Sequence, residues 1–274
     1  MTTITRDEWI LSRAASTLEE MKLSNGYAKC HLDEAIVLCN YLNGEMNAKS
    51  AARAITATVC SPLGLRSTTL DELRRVMSLI SETLMRYGQD CDKILDLLVA
   101  MQDLPPARHL CWWKLPAFGR VWQRCYLVHR DRQCTAFYKK AGTLEANMYL
   151  RELYPVDVDW VCKTINVVCL ELSDLGVVIY EIHAMLEIAG SKLVENLQPG
   201  QVKAYTRAMR GRSDKTYMIE VTLYEHWEHW KKRFLQISYD EEFLQPEARL
   251  MAGKCHEIMR GHRIRQPHEE AFRV

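Results

Sequence analysis

A chain of 274 residues, 48% of them apolar, is long enough to bury a continuous core as one domain. Thirty-six Lys and Arg against 35 Asp and Glu leave a formal charge of +1, too weak a field to gather nucleic-acid phosphates, so no nucleic-acid partner is expected. The N-terminal run Met1 to Trp9 lacks a basic stretch followed by an apolar one. The most apolar region, 160–190, is broken by Lys163, Glu171, Asp174, Glu181, His183 and Glu187. Neither a secretory leader nor membrane insertion is expected, and a cytoplasmic protein is the reading.

Apolar residues recur at helical rather than strand period almost throughout, so the expected fold class is all-α: a compact single-domain helical bundle over 1–274. Thr5-Arg6-Asp7-Glu8 and Thr69-Leu70-Asp71-Glu72 fit the capping box, in which a hydroxyl and a Glu side chain satisfy amides at a helix start. After the second box, Leu73, Val76, Met77, Ile80 and Leu84 form one helix face. A following helix carries Ile94, Leu97, Leu98 and Met101 and stops at Leu104-Pro105-Pro106, the candidate hinge (104–106). Val158, Val161, Cys162, Ile165, Val168, Cys169 and Leu172 make a later stripe, with Asp157 and Asp159 suiting its N-terminal dipole. Turns are expected at Gln198-Pro199-Gly200 and Gly211-Arg212-Ser213-Asp214. A last helix bears Leu250, Met251, Cys255, Ile258 and Met259 up to Gly261, and the tail 262–274 reads as frayed.

Ten cysteines with no Cys-x-x-Cys pair read as reduced core thiols, and Cys255-His256 lacks a second ligand pair at zinc-finger spacing, so no metal site is expected. His226 and His229 invite a shared ligand. Helical phase, however, puts Leu223, Trp227, Trp230 and Phe234 on the buried arc and both histidines at its edge or in solvent. Glu220 falls inside the apolar arc of that helix, and Glu181 projects from among Val177, Val178, Ile182, Ala184, Met185 and Ile188. An inward carboxylate that no cation neutralises has its pKa raised and suits general acid–base work, which makes Glu181 and Glu220 the candidate catalytic residues. Trp227, Trp230 and Phe118 are the candidate walls for a hydrophobic small molecule, with no cofactor expected. No Gly-rich phosphate loop, nucleophile elbow or His-Glu-x-x-His motif is present.

Two segments resemble the metal motifs of class I terpene cyclases. Ser173 to Glu181 has the register of the second motif, with Ser173 and Val177 in place of two expected ligands, and Asp90, Asp92 and Asp96 form an incomplete aspartate-rich motif. That resemblance implies magnesium; no other reading does. Trp112-Trp113-Lys114-Leu115-Pro116-Ala117-Phe118-Gly119 and the later run from His226 to Phe234 resemble a fungal family described as a domain of unknown function, over roughly Leu104 to Gly261. Gln123-Arg124-Cys125-Tyr126-Leu127 departs from its pattern. The resemblance implies a fungal, intracellular helical protein and no particular activity. The expectation is therefore a small α-helical enzyme acting on a hydrophobic small molecule in fungal secondary metabolism. A non-catalytic helical interaction or scaffold module and a divergent class I terpene cyclase-like enzyme are the alternatives, and the oligomeric state is not indicated.

Overall fold

Thr5 starts the first helix as its side chain dictates: its hydroxyl accepts the Glu8 N–H at 3.3 Å while Glu8 Oε2 accepts the Thr5 N–H at 2.8 Å, and α1 runs Arg6–Ser12. The structure, a computed structural model, describes residues 4–17, 20, 29–60, 66–107, 110–130, 134–169, 174–197, 202–209, 212–242 and 244–264, with side chains left aside at 66–70 and 202–222. Contacts group the chain into two units, the first formed by 1–130 with 151–157 and the second by 131–150 with 158–274.

In the first unit α1 is followed by α2 (Leu32–Leu42), α3 (Ala48–Ile55), the short α4 (Ala57–Cys60), α5 (Arg66–Arg86), α6 (Cys91–Gln102) and α7 (Phe118–His129). The expected faces are the buried ones: Leu73, Val76, Met77, Ile80 and Leu84 on α5, and Ile94, Leu97, Leu98 and Met101 on α6. Thr69 does not start a helix. α5 begins at Arg66, and Glu72 lies 2.9 Å from the His31 ring and pairs with Arg75 instead of capping a helix start. Leu104-Pro105-Pro106 lies within this unit. Leu115 (φ 39°) and Ala117 (φ 68°) are both left-handed, which bends the chain sharply between the 3₁₀ turn Trp112–Lys114 and α7. The bend delivers Phe118 fully buried onto Trp122, with ring centroids 6.4 Å apart.

The second unit contains α8 (Thr135–Leu150), α9 (Val158–Asn166), α10 (Leu175–Asn196), β1 (Val202–Met209), β2 (Arg212–Thr222), α11 (Leu223–Ser238) and α12 (Pro246–Gly261). Val161, Cys162, Ile165 and Val168 hold the inner side of the expected stripe, which leaves α9 for a 3₁₀ turn at Val167–Cys169; its Leu172 lies outside the described residues, as does Ser173. α8 lies along α10 so closely that a Cβ on Gly142 would sit 2.2 Å from the Glu181 carbonyl oxygen. β1 and β2 pair antiparallel from Val202 opposite Thr222 to Ala208 opposite Thr216, with a register shift before Met209. This hairpin corrects the helical placement of Glu220, which sits in β2 opposite Ala204 while α11 begins only at Leu223. Thr216, Tyr217, Ile219, Val221 and Thr222 are β-branched or aromatic and favour a strand over the helical period that follows them.

Helices make up the remainder of the described elements, so the chain is all-α with one hairpin. No described helix is long and apolar enough to cross a membrane. Of the expected tail, His262 to Ile264 is non-helical with Ile264 buried, and 265–274 lie outside the described residues, as do Gln198 to Gly200 and Gly211.

Candidate functional site

α12 opens with Pro246 in its first turn, where the missing amide hydrogen costs nothing. Ala248, Ala252, Cys255 and Met259 bury one stripe of this helix. The adjacent stripe, with Pro246, Leu250 and Ile258, forms one wall of a groove of ≈ 720 Å³ that also takes in Ser238 from the end of α11 and His183 and Glu187 from α10. Arg249, Gly253, Lys254 and Glu257 complete the α12 side. Three apolar side chains, one of them Leu250 at 58% exposure, face six polar or charged residues across this open groove.

His183 is 8% exposed. Burial lowers the basicity of its imidazole, Lys254 and Lys139 act in the same direction, and Glu187, with a carboxylate oxygen 3.8 Å from Nδ1, opposes them. The net direction is downward from the ordinary value of 6.5, which favours the uncharged ring. Arg249 donates to Glu241 Oε1 at 3.0 Å through one terminal nitrogen, whereas its Nε–H is buried without an acceptor. Lys254 forms no ion pair among the described residues. Of the two carboxylates on the groove, Glu257 is held by Arg260 and Glu187 is well exposed.

Gly253 contributes by lacking a side chain. A Cβ there would lie 3.7 Å from Ser238 Cβ, an ordinary van der Waals contact, so nothing in the packing requires glycine. Glycine inside a helix nonetheless costs about 1 kcal/mol relative to alanine. That cost leaves the groove floor open.

The residues singled out from sequence fall elsewhere. Glu181 is buried on α10, two positions before His183, and its side chain is engaged by a neighbour; the groove lining does not include it. Trp227 and Trp230 are core residues of the second unit, their indole N–H groups donating to the Met259 carbonyl at 3.4 Å and to Asn166 Oδ1 at 3.1 Å. Phe118 belongs to the core of the first unit, and Glu220 to the hairpin. His226 is buried at 6% exposure with its ring 5.4 Å from that of Trp230, so the buried arc of α11 is wider than the spacing implied; His229 is exposed. His183 was visible in the sequence only as a polar break in an apolar run. Arg249 and Gly253 carried no local signal beyond a glycine within a helix.

A second polar constellation lies in the first unit, where His31, Glu34 and Glu72 bring one ligand atom each within 4.8 Å of the others. The four carboxylate oxygens already have donors. Glu34 accepts the His31 N–H and the Thr58 hydroxyl, both at 2.9 Å, and Glu72 accepts from His31 Nε2 at 2.9 Å and pairs with Arg75. Burial raises the Glu34 pKa, with the His31 and Thr58 hydrogen bonds opposing it. This is a closed network. The aspartates of the terpene cyclase comparison are likewise neutralised, Asp90 by Arg6 at 3.1 Å and Asp92 and Asp96 by Arg151 at 2.6 and 3.5 Å. Burial pushes the Cys30 and Cys125 thiols up to about 12 and Cys39 to about 11, and raises Cys255 as well, so these cysteines stay protonated and are poor nucleophiles.

Comparisons with protein-family models, with curated proteins and with solved structures return no match.

Proposed function

We propose that this chain takes up a small, largely apolar molecule in the groove between α10, α11 and α12 and acts on it by proton transfer through His183. The observation that carries this reading is a buried histidine on a groove that Pro246, Leu250 and Ile258 also line. A neutral imidazole accepts a proton at pH 7, and the nearby Glu187 carboxylate steadies the imidazolium that forms. His183 takes the acid–base role first assigned to Glu181 and Glu220, since it lines the space and Glu181 does not.

The test uses N-phenyl-1-naphthylamine, a neutral apolar fluorophore, with the full chain. Saturable binding is expected, lost in Gly253→Leu, whose new side chain fills the groove floor. Diethyl pyrocarbonate, which acylates neutral imidazoles, is expected to label His183, and the bound fluorophore to reduce that labelling at least fivefold by peptide mass spectrometry. Fluorophore binding that is indifferent to Gly253→Leu, or His183 labelling that is indifferent to the fluorophore, overturns the proposal.

A further inference from the structure

The formal charge of +1 hides a segregation along the chain. Between Asp103 and Asp131 there is no acidic residue, yet this stretch carries Arg108, Lys114, Arg120, Arg124 and Arg130. Arg108 lies outside the described residues. Lys114, Arg120 and Arg124 are exposed, and no carboxylate among the described residues pairs with them. Two of these cations stand on α7, whose buried stripe is Phe118, Trp122 and Cys125. At about 100° per residue Leu127 points directly away from that stripe, between Gln123 on one side and Arg120, Arg124 and Val128 on the other. Leu127 and Val128 are each more than half exposed, so they protrude rather than line a hollow. Arg120 sits in the first turn, where a positive charge opposes the helix dipole, and the N-cap residue Ala117 has no side chain to offset it. The helix itself gains nothing from this arrangement.

A second protrusion adjoins the same turn. A Cβ on Gly119 would lie 2.5 Å from Pro155 Cγ, so the start of α7 and residue 155 are in close contact. Tyr154 next to it meets the Trp113 ring edge-on, with centroids 6.1 Å apart. Trp113 is also more than half exposed, and Lys114 Nζ is 4.8 Å from its ring centre.

From this juxtaposition we infer that the first unit docks on a bilayer surface containing anionic phospholipids, with Lys114, Arg120 and Arg124 at the headgroups and Leu127, Val128 and Trp113 entering the acyl boundary. Cations without counter-ions attract the lipid phosphates, and protruding apolar tips find their complement in a soft apolar medium. A folded partner would have to bring its own hollow to receive them. Nucleic acid would satisfy the cations but give Leu127 and Val128 nothing to bury against. Tryptophan and tyrosine favour the level of the headgroups, which suits the pair at Trp113 and Tyr154. Such docking is contact with one leaflet and needs no helix that crosses the membrane. It is independent of the groove, whose lining belongs wholly to the second unit.

Co-sedimentation of the full chain with vesicles tests this. Vesicles of phosphatidylcholine with roughly one-third phosphatidylserine are expected to bind about tenfold more strongly than phosphatidylcholine alone. Arg120→Gln with Arg124→Gln removes that preference. Lys49→Gln with Arg53→Gln, which takes the same charge from exposed positions on α3, retains it. Leu127→Ser with Val128→Ser weakens binding to the anionic vesicles about tenfold. Brominated acyl chains quench tryptophan emission in the wild type and quench it less in Trp113→Phe. Equal binding to the two kinds of vesicle overturns the inference, as does an equal loss in the two charge variants, which would mean that any surface cation serves. Tighter binding to polyglutamate or to oligothymidylate than to the anionic vesicles also overturns it, and assigns these cations to an acidic protein or to nucleic acid.

Discussion

Two helices of the second unit show opposite uses of glycine. Gly142 of α8 lets two helix backbones meet, with the Glu181 carbonyl where a methyl group would have to go. Gly253 of α12 sits where a methyl group would fit, its near neighbour being Ser238 Cβ of α11 at 3.7 Å. A glycine that packing demands is part of the fold. One that packing does not demand only weakens its helix, by about 1 kcal/mol relative to alanine.

The first and largest way to break this comparison is Gly142→Ala. The new Cβ meets a backbone carbonyl rather than a flexible side chain, so the variant is expected to lose about 3 kcal/mol, at the upper end of the range for overpacking, in chemical denaturation. A loss under 1 kcal/mol would mean the helices can part easily. Next, Trp160→Phe removes the indole donor that reaches the buried Glu145 carboxylate on α8 at 2.8 Å, with an expected cost of about 1–2 kcal/mol. An unchanged midpoint would show that this carboxylate does not depend on the indole. Gly253→Ala should shift stability the other way, by about 0.5–1 kcal/mol toward the folded state, while weakening binding of the neutral fluorophore. A destabilised Gly253→Ala would make both glycines structural and dissolve the contrast.

The smallest effect is a pH dependence. His183 has a folded pKa below 6.5, so its contribution to stability is fully present above the unfolded pKa and is lost as pH falls through the folded value. His183→Gln is accordingly expected to flatten the stability profile just below pH 6.5. A wild-type profile with no such slope, followed by thermal unfolding, would contradict the lowered basicity.

Much of the helical framework was legible because it rests on local rules. The Thr5 box and the apolar stripes of α5 and α6 need only spacing and capping chemistry, and the structure uses each. The rules failed where a distant partner intervened. Glu72 meets His31 rather than a helix start, and His226, which phase puts no further in than the edge of the arc, is buried against Trp230. The β1–β2 hairpin was missed because its β-favouring residues run directly into a strongly periodic helix, whose pattern was read backwards over them. The candidate site was hidden for a further reason: His183, Ser238 and Arg249 lie on three helices, and only their packing brings them to one groove. Neither burial of His183 nor the orphaned Arg249 donor has a signature within a window of sequence.

The constellation in the first unit sharpens the same lesson. His31, Glu34 and Glu72 look more like a site by residue type than the groove does, yet their carboxylate oxygens are all supplied with donors from within the chain. Arg75 Nε is buried there without a partner, but the acceptors that would have to hold a cation are spent. The groove differs in that Pro246, Leu250 and Ile258 lie on it together with His183.

The most direct measurement is a backbone amide NMR titration of the full chain with N-phenyl-1-naphthylamine. Shifts concentrated at His183, Ser238, Leu250, Gly253 and Ile258 are the result this account predicts. Saturating shifts that cluster elsewhere and leave these five amides unmoved would contradict it.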